Sequence, residues 1–175
     1  MKSLICIIGF ICGLAVVAIV YSIIAAAAKK KGGQMEYDER QIAIRGKSFK
    51  TGFITFVICQ FVVICNEVGI GIHIMDGVLL QFTILLIGLV TFIIHAMWND
   101  AYFQGNGEKK VWIILMLIVI AVNFILFFSK DFSKLKTEDG LLSNAFVNLE
   151  IAFFCFVILV NGIIKILIDK KAEKE

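Results

Sequence analysis

Of the 175 residues, 60% are hydrophobic and 18% charged, there is no proline, and the formal net charge is +3. A mean hydropathy of +0.94 excludes the balance of a soluble globule. Basic residues set beside apolar runs exclude a separate nucleic-acid-binding domain. The chain reads as a single all-α transmembrane domain, residues 1–175, with about five membrane-spanning helices.

The first apolar run, LICIIGFICGLAVVAIVYSIIAAAA, covers 4–28 and is closed by Lys29, Lys30 and Lys31. It exceeds the h-region of a signal peptide, about 7–15 residues, and ends in a stop of lysines, so it reads as a retained anchor. Charge then concentrates in MEYDERQIAIRGKSFKTGF, residues 35–53. As a helix over 35–50, this stretch puts Met35, Ile42, Gly46 and Phe49 on one face, continuing to Phe53 and Phe56. An amphipathic helix on the inner leaflet, leading into the second span, is expected. Its Arg45, Lys47 and Lys50, with Lys29–Lys31, can contact anionic headgroups. Gly46 on the apolar stripe is expected to admit a close neighbour or a bend.

The second run extends over 53–74, interrupted by Gln60, Asn66 and Glu67, and a tight MDG turn at 75–77 leads to the third run, 78–98. The fourth covers 111–128 and the fifth 145–168. Each is close to the roughly 20 residues that a bilayer core requires, and lipid cannot satisfy free backbone groups, so each must be helical.

Orientation follows from lysine and arginine in the short connections. With five spans, the 29–51 and 99–110 segments and the C-terminal tail share one side and carry twelve basic residues. The opposite side carries four: Lys2, Lys130, Lys134 and Lys136. The expected topology is N-terminus outside and C-terminus inside, with Trp98 and Trp112 at the inner interface.

The residues YDERQIAIRGKSFKTGF resemble the signature of an uncharacterised family of small multi-pass membrane proteins from Gram-positive bacteria. That signature has the form Y-x-E-R-Q, then R-G-K, then an aromatic-rich span. The matching residues are Tyr37, Asp38, Glu39, Arg40, Gln41, Arg45, Gly46, Lys47 and Phe49. The resemblance covers 37–53 and the general helical layout. It implies a bacterial plasma membrane and a similar helical bundle, and it implies no activity.

Two readings of the charged stretch stand side by side. It can simply anchor the second span at the interface, or Asp38, Glu39, Arg40, Arg45 and Lys47 can form a docking surface for a protein partner or for lipid.

Ionisable and amide groups at bilayer depth are costly and point to function. Gln60 and Glu67 are seven apart on the second span, Gln81, Gly88 and His95 repeat every seven on the third, and Glu150 and Asn161 are eleven apart on the fifth. Each spacing marks one helix face, expected to point into the bundle. Glu67, Asn123 and Glu150, with Asn66 and Asn148, fall in the outer half of the membrane. Together they could hold a proton, a cation or an amine. Alternatively they are hydrogen-bonding glue between helices. His73 and Asp76, near the outer turn, could join such a site.

The five cysteines all lie in apolar runs without a C-x-x-C or a zinc-ligand spacing, so they read as small apolar residues. No H-E-x-x-H or G-x-S-x-G occurs. No catalytic residue, metal or cofactor is expected.

The expected function is a non-enzymatic accessory, regulatory or sensing subunit. It would contact membrane lipids and a protein partner on the cytoplasmic side, with homo-oligomerisation a further expectation. The alternative is a small oligomeric transporter or channel using the intramembrane carboxylates. A membrane enzyme using His73 or His95 with nearby carboxylates is a third reading.

Overall fold

The computed structural model describes residues 38–103, 106–131 and 135–172. The run at 4–28, the lysines at 29–31 and the start of the charged stretch at 35–37 lie outside the described residues. The element order is α1 (Glu39–Cys65), a π-turn (Asn66–Ile70), α2 (Gly77–Trp98), α3 (Asn106–Phe128), a 3-10 turn (Asn144–Phe146) and α4 (Val147–Ala172). The fold is all-α. Among the described residues, four segments are long and apolar enough to cross a membrane: Glu39–Ile70, Gly77–Trp98, Lys109–Phe128 and Asn144–Ala172. This suggests a multi-pass membrane protein.

The helices run unbroken because no proline removes a backbone donor. Charge suits their ends: Glu39 lies in the first turn of α1, and Lys170 and Lys171 lie in the last turn of α4. The charged stretch is not separate from the span that follows, since both belong to the 27 residues of α1.

The π-turn ends at Gly71, whose φ of 69° is left-handed and whose N–H donates to Asn66 O at 2.7 Å. Asn66 also donates its side-chain amide to Ile72 O, 2.7 Å. Helix therefore stops at Ile70, short of the expected Ile74, and residues 71–76 form a longer connection than a tight turn at 75–77.

α2 ends in a Schellman-type cap. Ala101 N–H donates to Ala96 O, Asp100 N–H donates to Met97 O, and Asp100 takes the left-handed φ of 59°. At the opposite end, Ser143 accepts from Ala145 N and starts the helical turn that precedes α4.

α2 packs along α1 on one side and along α4 on the other, and α3 packs on α4. The main contacts thus give an open array ordered α1, α2, α4, α3. Burial follows that order. Leu79, Ile84, Val90, Ala96 and Met97 are buried on α2, as are Ala152, Ile158 and Leu159 on α4, whereas α1 buries only Ser48 and Gly52. Large apolar side chains such as Phe53, Phe61, Ile114 and Ile125 stay exposed on the flanking helices. Faces of this size suit hydrocarbon and not water.

The α1–α2 crossing depends on two glycines. A Cβ on Gly52 would sit 2.7 Å from Gly88 O and 2.8 Å from Phe92 Cβ, so the backbones touch here. Phe49 and Phe92 close the contact edge to face, with ring centroids 6.4 Å apart. Gly46 has open space around it, and Ile42, Phe49 and Phe53 are all more than half exposed. The expected apolar stripe is therefore only partly in contact: Phe49 meets Phe92 and Phe56 meets Gly88, while Ile42 and Phe53 face outward. The packed face carries the small residues Ser48 and Gly52.

The array has two polar ends. At one, Gln41 donates to Asp100 O across α1 and α2, and Lys165 of α4 reaches Asp100. At the other, Leu142 N–H donates to Ile74 O and Asp76 N–H to Leu142 O, joining the 71–76 connection to the segment before α4.

Candidate functional site

The outer-half cluster expected from sequence divides into separate places. Glu67, in the π-turn, pairs with His73 Nδ1 at 3.3 Å, both side chains half exposed. The pair lines a cavity of about 600 Å³ with Asn66, Cys65, Met75 and Leu141. Glu150, in the first turn of α4, instead meets Thr83 of α2, whose Oγ1 lies 2.5 Å from Glu150 Oε1. Glu67 and Glu150 line different cavities and share no partner among the described residues. Asn123 turns back on α3 and donates to Val119 O, 2.8 Å. Asn148 is half-buried and is the second residue of α4.

The Glu150 cavity, about 640 Å³, is lined by Phe124 of α3, Phe146 before α4, and Leu149, Ala152, Phe153, Phe154 and Phe156 of α4, with Thr83 and Glu150 as its polar residues. Glu150 Oε2 is buried and has no hydrogen-bond partner among the described residues. Gln60 Oε1 on α1 shares that condition.

The α4 seam and two of the three α2 seam residues face neighbours as their spacing predicts, whereas Gln81 of α2 is exposed. Gly88 and His95 meet α1, through Gly52 and Ser48. Glu150 and Asn161 both meet α2, through Thr83 and Trp98 (Trp98 Nε1 to Asn161 Oδ1, 3.4 Å). Trp112, at the same end as Trp98, donates to Tyr102 OH at 3.3 Å and packs edge to face on Tyr102 and Phe103.

Sequence reasoning missed two arrangements. Ser48 Oγ lies 2.8 Å from His95 Nδ1 and 2.8 Å from Ile44 O. One hydroxyl proton cannot serve both acceptors, so all three groups are satisfied when Ser48 donates to Ile44 and His95 donates to Ser48. Ser48 is fully buried, and the pair acts as a hydrogen bond between helices. Lys165 is held at 2.8 Å from Asp100 and 2.7 Å from Asp169, with its side chain 13% exposed. The i, i+4 spacing of Lys165 and Asp169 was a visible signal for half of this arrangement.

The docking candidates behave differently. Asp38, Glu39, Arg40 and Lys47 are exposed at the start of α1 and make no ion pair among the described residues. Arg45 is half-buried. Cys59, Cys65 and Cys155 are free thiols, and no three His, Cys, Asp or Glu side chains converge as a metal site among the described residues. No protein-family model, curated protein or solved structure matches this chain.

Proposed function

We propose that this chain is a multi-pass protein of a bacterial plasma membrane that acts as a non-enzymatic accessory, regulatory or sensing subunit and docks a cytoplasmic partner through the first turns of α1. The observation that carries this reading is the contrast at one polar end of the array. Lys165, Asp100 and Asp169 satisfy one another there. Glu39, Arg40 and Lys47 of α1 remain exposed, with no ion pair among the described residues, as does Asp38 before it. A rim of mixed charge fits a complementary protein surface and steers its approach.

Charge asymmetry supports the orientation. Among the described residues, Arg40, Arg45, Lys47, Lys50, Lys109, Lys110, Lys165, Lys170 and Lys171 belong to the end that includes Asp100, and Lys130 and Lys136 to the other. By the positive-inside rule the Asp100 end is cytoplasmic. The run at 4–28, as a further span, brings the N-terminus outside. The likeness of 37–53 to the Y-x-E-R-Q signature is in keeping with a Gram-positive source.

The test is extraction of the protein with its surrounding lipid, followed by mass measurement of the intact assembly. A second polypeptide held by the wild type and lost from Arg40→Glu/Lys47→Glu is expected; equal capture by both overturns docking. The alternative, an oligomeric transporter or channel, draws support from the unpartnered Glu150 Oε2. It requires Glu150→Gln to abolish flux of a cation or amine in a protein that still folds.

A further inference from the structure

We propose that the cavity beside Glu150 binds a single-chain amphiphilic amine, with its ammonium on the Glu150 carboxylate and its apolar body against the phenylalanines. The inference rests on the membrane-spanning part of the reading above and is independent of partner docking at α1.

Three observations carry it. The first is chemical. Thr83 Oγ1 has a single proton and three acceptors in reach, Glu150 Oε1 at 2.5 Å, Leu79 O at 2.9 Å and Met75 Sδ at 3.7 Å. Whichever it serves, Glu150 Oε2 remains buried with no donor among the described residues. A buried acceptor left so is expensive, and a charged donor is its strongest complement.

The second is shape and lining. At about 640 Å³ the cavity lies within the size of small-molecule sites, roughly 300–1,000 Å³. One carboxyl and one hydroxyl stand among Phe124, Phe146, Phe153 and Phe156. Aromatic faces accept both an alkyl body and, beside the carboxylate, a cation. An anionic or multiply polar ligand would find no donor in this lining apart from the Thr83 hydroxyl.

The third is depth. Glu150 lies six residues beyond Asn144, where the last span begins, on the order of 10 Å along the helix at ~1.5 Å per residue. Phe153 and Phe156 lie deeper still. A phospholipid ammonium stays in the headgroup layer above this level, whereas a single-chain amine can sink its nitrogen to the carboxylate.

The test uses the full chain in phosphatidylcholine nanodiscs and radiolabelled decylamine, with binding to empty nanodiscs subtracted. Saturable binding of one decylamine per chain is expected. Glu150→Gln keeps the shape and an acceptor for Thr83 but removes the charge, and should weaken binding by about tenfold or more. Glu67→Gln should leave it unchanged. Phe153→Ala, at an exposed rim position, should weaken binding by roughly threefold or more through lost apolar contact, and it serves as the test if Glu150→Gln does not fold. Decanol and added phosphatidylethanolamine should not displace the amine. Equal binding by Glu150→Gln or by Phe153→Ala overturns the proposal. So does displacement by decanol, which would mean a neutral hydrogen-bonding site, or by phosphatidylethanolamine, which would mean a headgroup site. Binding no greater than to empty nanodiscs overturns it outright.

Discussion

Lys165 of α4 and Asp100, just beyond the end of α2, form an ion pair of 2.8 Å in which the lysine is largely covered and the aspartate is 60% exposed. Asp169 holds the same ammonium from the other side at 2.7 Å. The pair fastens α2 to α4 at one end, and the left-handed Asp100 points its carboxylate there because the cap of α2 turns the chain at that residue.

Single neutralisation should therefore be mild and double neutralisation severe. Asp100→Asn or Asp169→Asn alone should cost under about 1 kcal/mol, since one partner remains and an exposed pair contributes little. Both together should cost more than the sum of the two, because the covered lysine loses both counter-charges. Thermal unfolding of the four proteins in one detergent measures this coupling, and strict additivity would contradict the arrangement.

The Gly52–Gly88 crossing gives a steric prediction. Gly52→Ala puts a methyl 2.7 Å from a backbone oxygen that cannot swing aside, so α1 must move off α2 at a cost of about 1–3 kcal/mol. Gly46→Ala meets nothing and should stabilise slightly by raising helix propensity, at most about 1 kcal/mol. Melting temperatures of the two variants should shift in opposite directions.

Ser48 and His95 should show interaction energy. Ser48→Ala removes the oxygen that faces His95 Nδ1 and should cost on the order of 0.6 kcal/mol, the usual size for a hydrogen bond between membrane helices. Once His95 is phenylalanine, the same serine substitution should cost less. A cycle with no interaction energy would remove this hydrogen bond from the account of the α1–α2 contact.

Orientation can be read by cysteine labelling in a variant whose native cysteines are serine or alanine. Glu138→Cys, in the segment before α4, should react in whole cells with a membrane-impermeant maleimide. Lys170→Cys should react only after permeabilisation. The reverse pattern would invert the topology.

Much of the helical layout was legible because long apolar runs without proline leave the backbone one solution. The seams at Gly88 and His95 and at Glu150 and Asn161 were legible too, since spacings of seven and eleven keep residues on one face whatever the neighbour. A close approach or a bend was expected at Gly46, and the close approach falls instead at Gly52, for a physical reason. In a membrane, apolar residues such as Ile42 and Phe53 gain nothing by facing a neighbour in place of lipid, so hydrophobicity does not mark the contact. Close approach does, and it selects Ser48 and Gly52. Depth along the helices put Glu67 and Glu150 together, but the azimuth that separates them, toward His73 and toward Thr83, depends on helix packing. The Lys165–Asp100 pair joins residues far apart in sequence at a crossing that periodicity does not encode.

Gly52 is the midpoint of α1, with equal numbers of residues running to Glu39 and to Cys65. The helix is about 40 Å long at ~1.5 Å per residue and contains no proline hinge. Its two buried residues, Ser48 and Gly52, lie at or next to that midpoint. In mechanical terms α1 is a rigid beam pivoted at its centre. A tilt about the Gly52 contact would move Glu39 and Cys65 by equal distances in opposite directions.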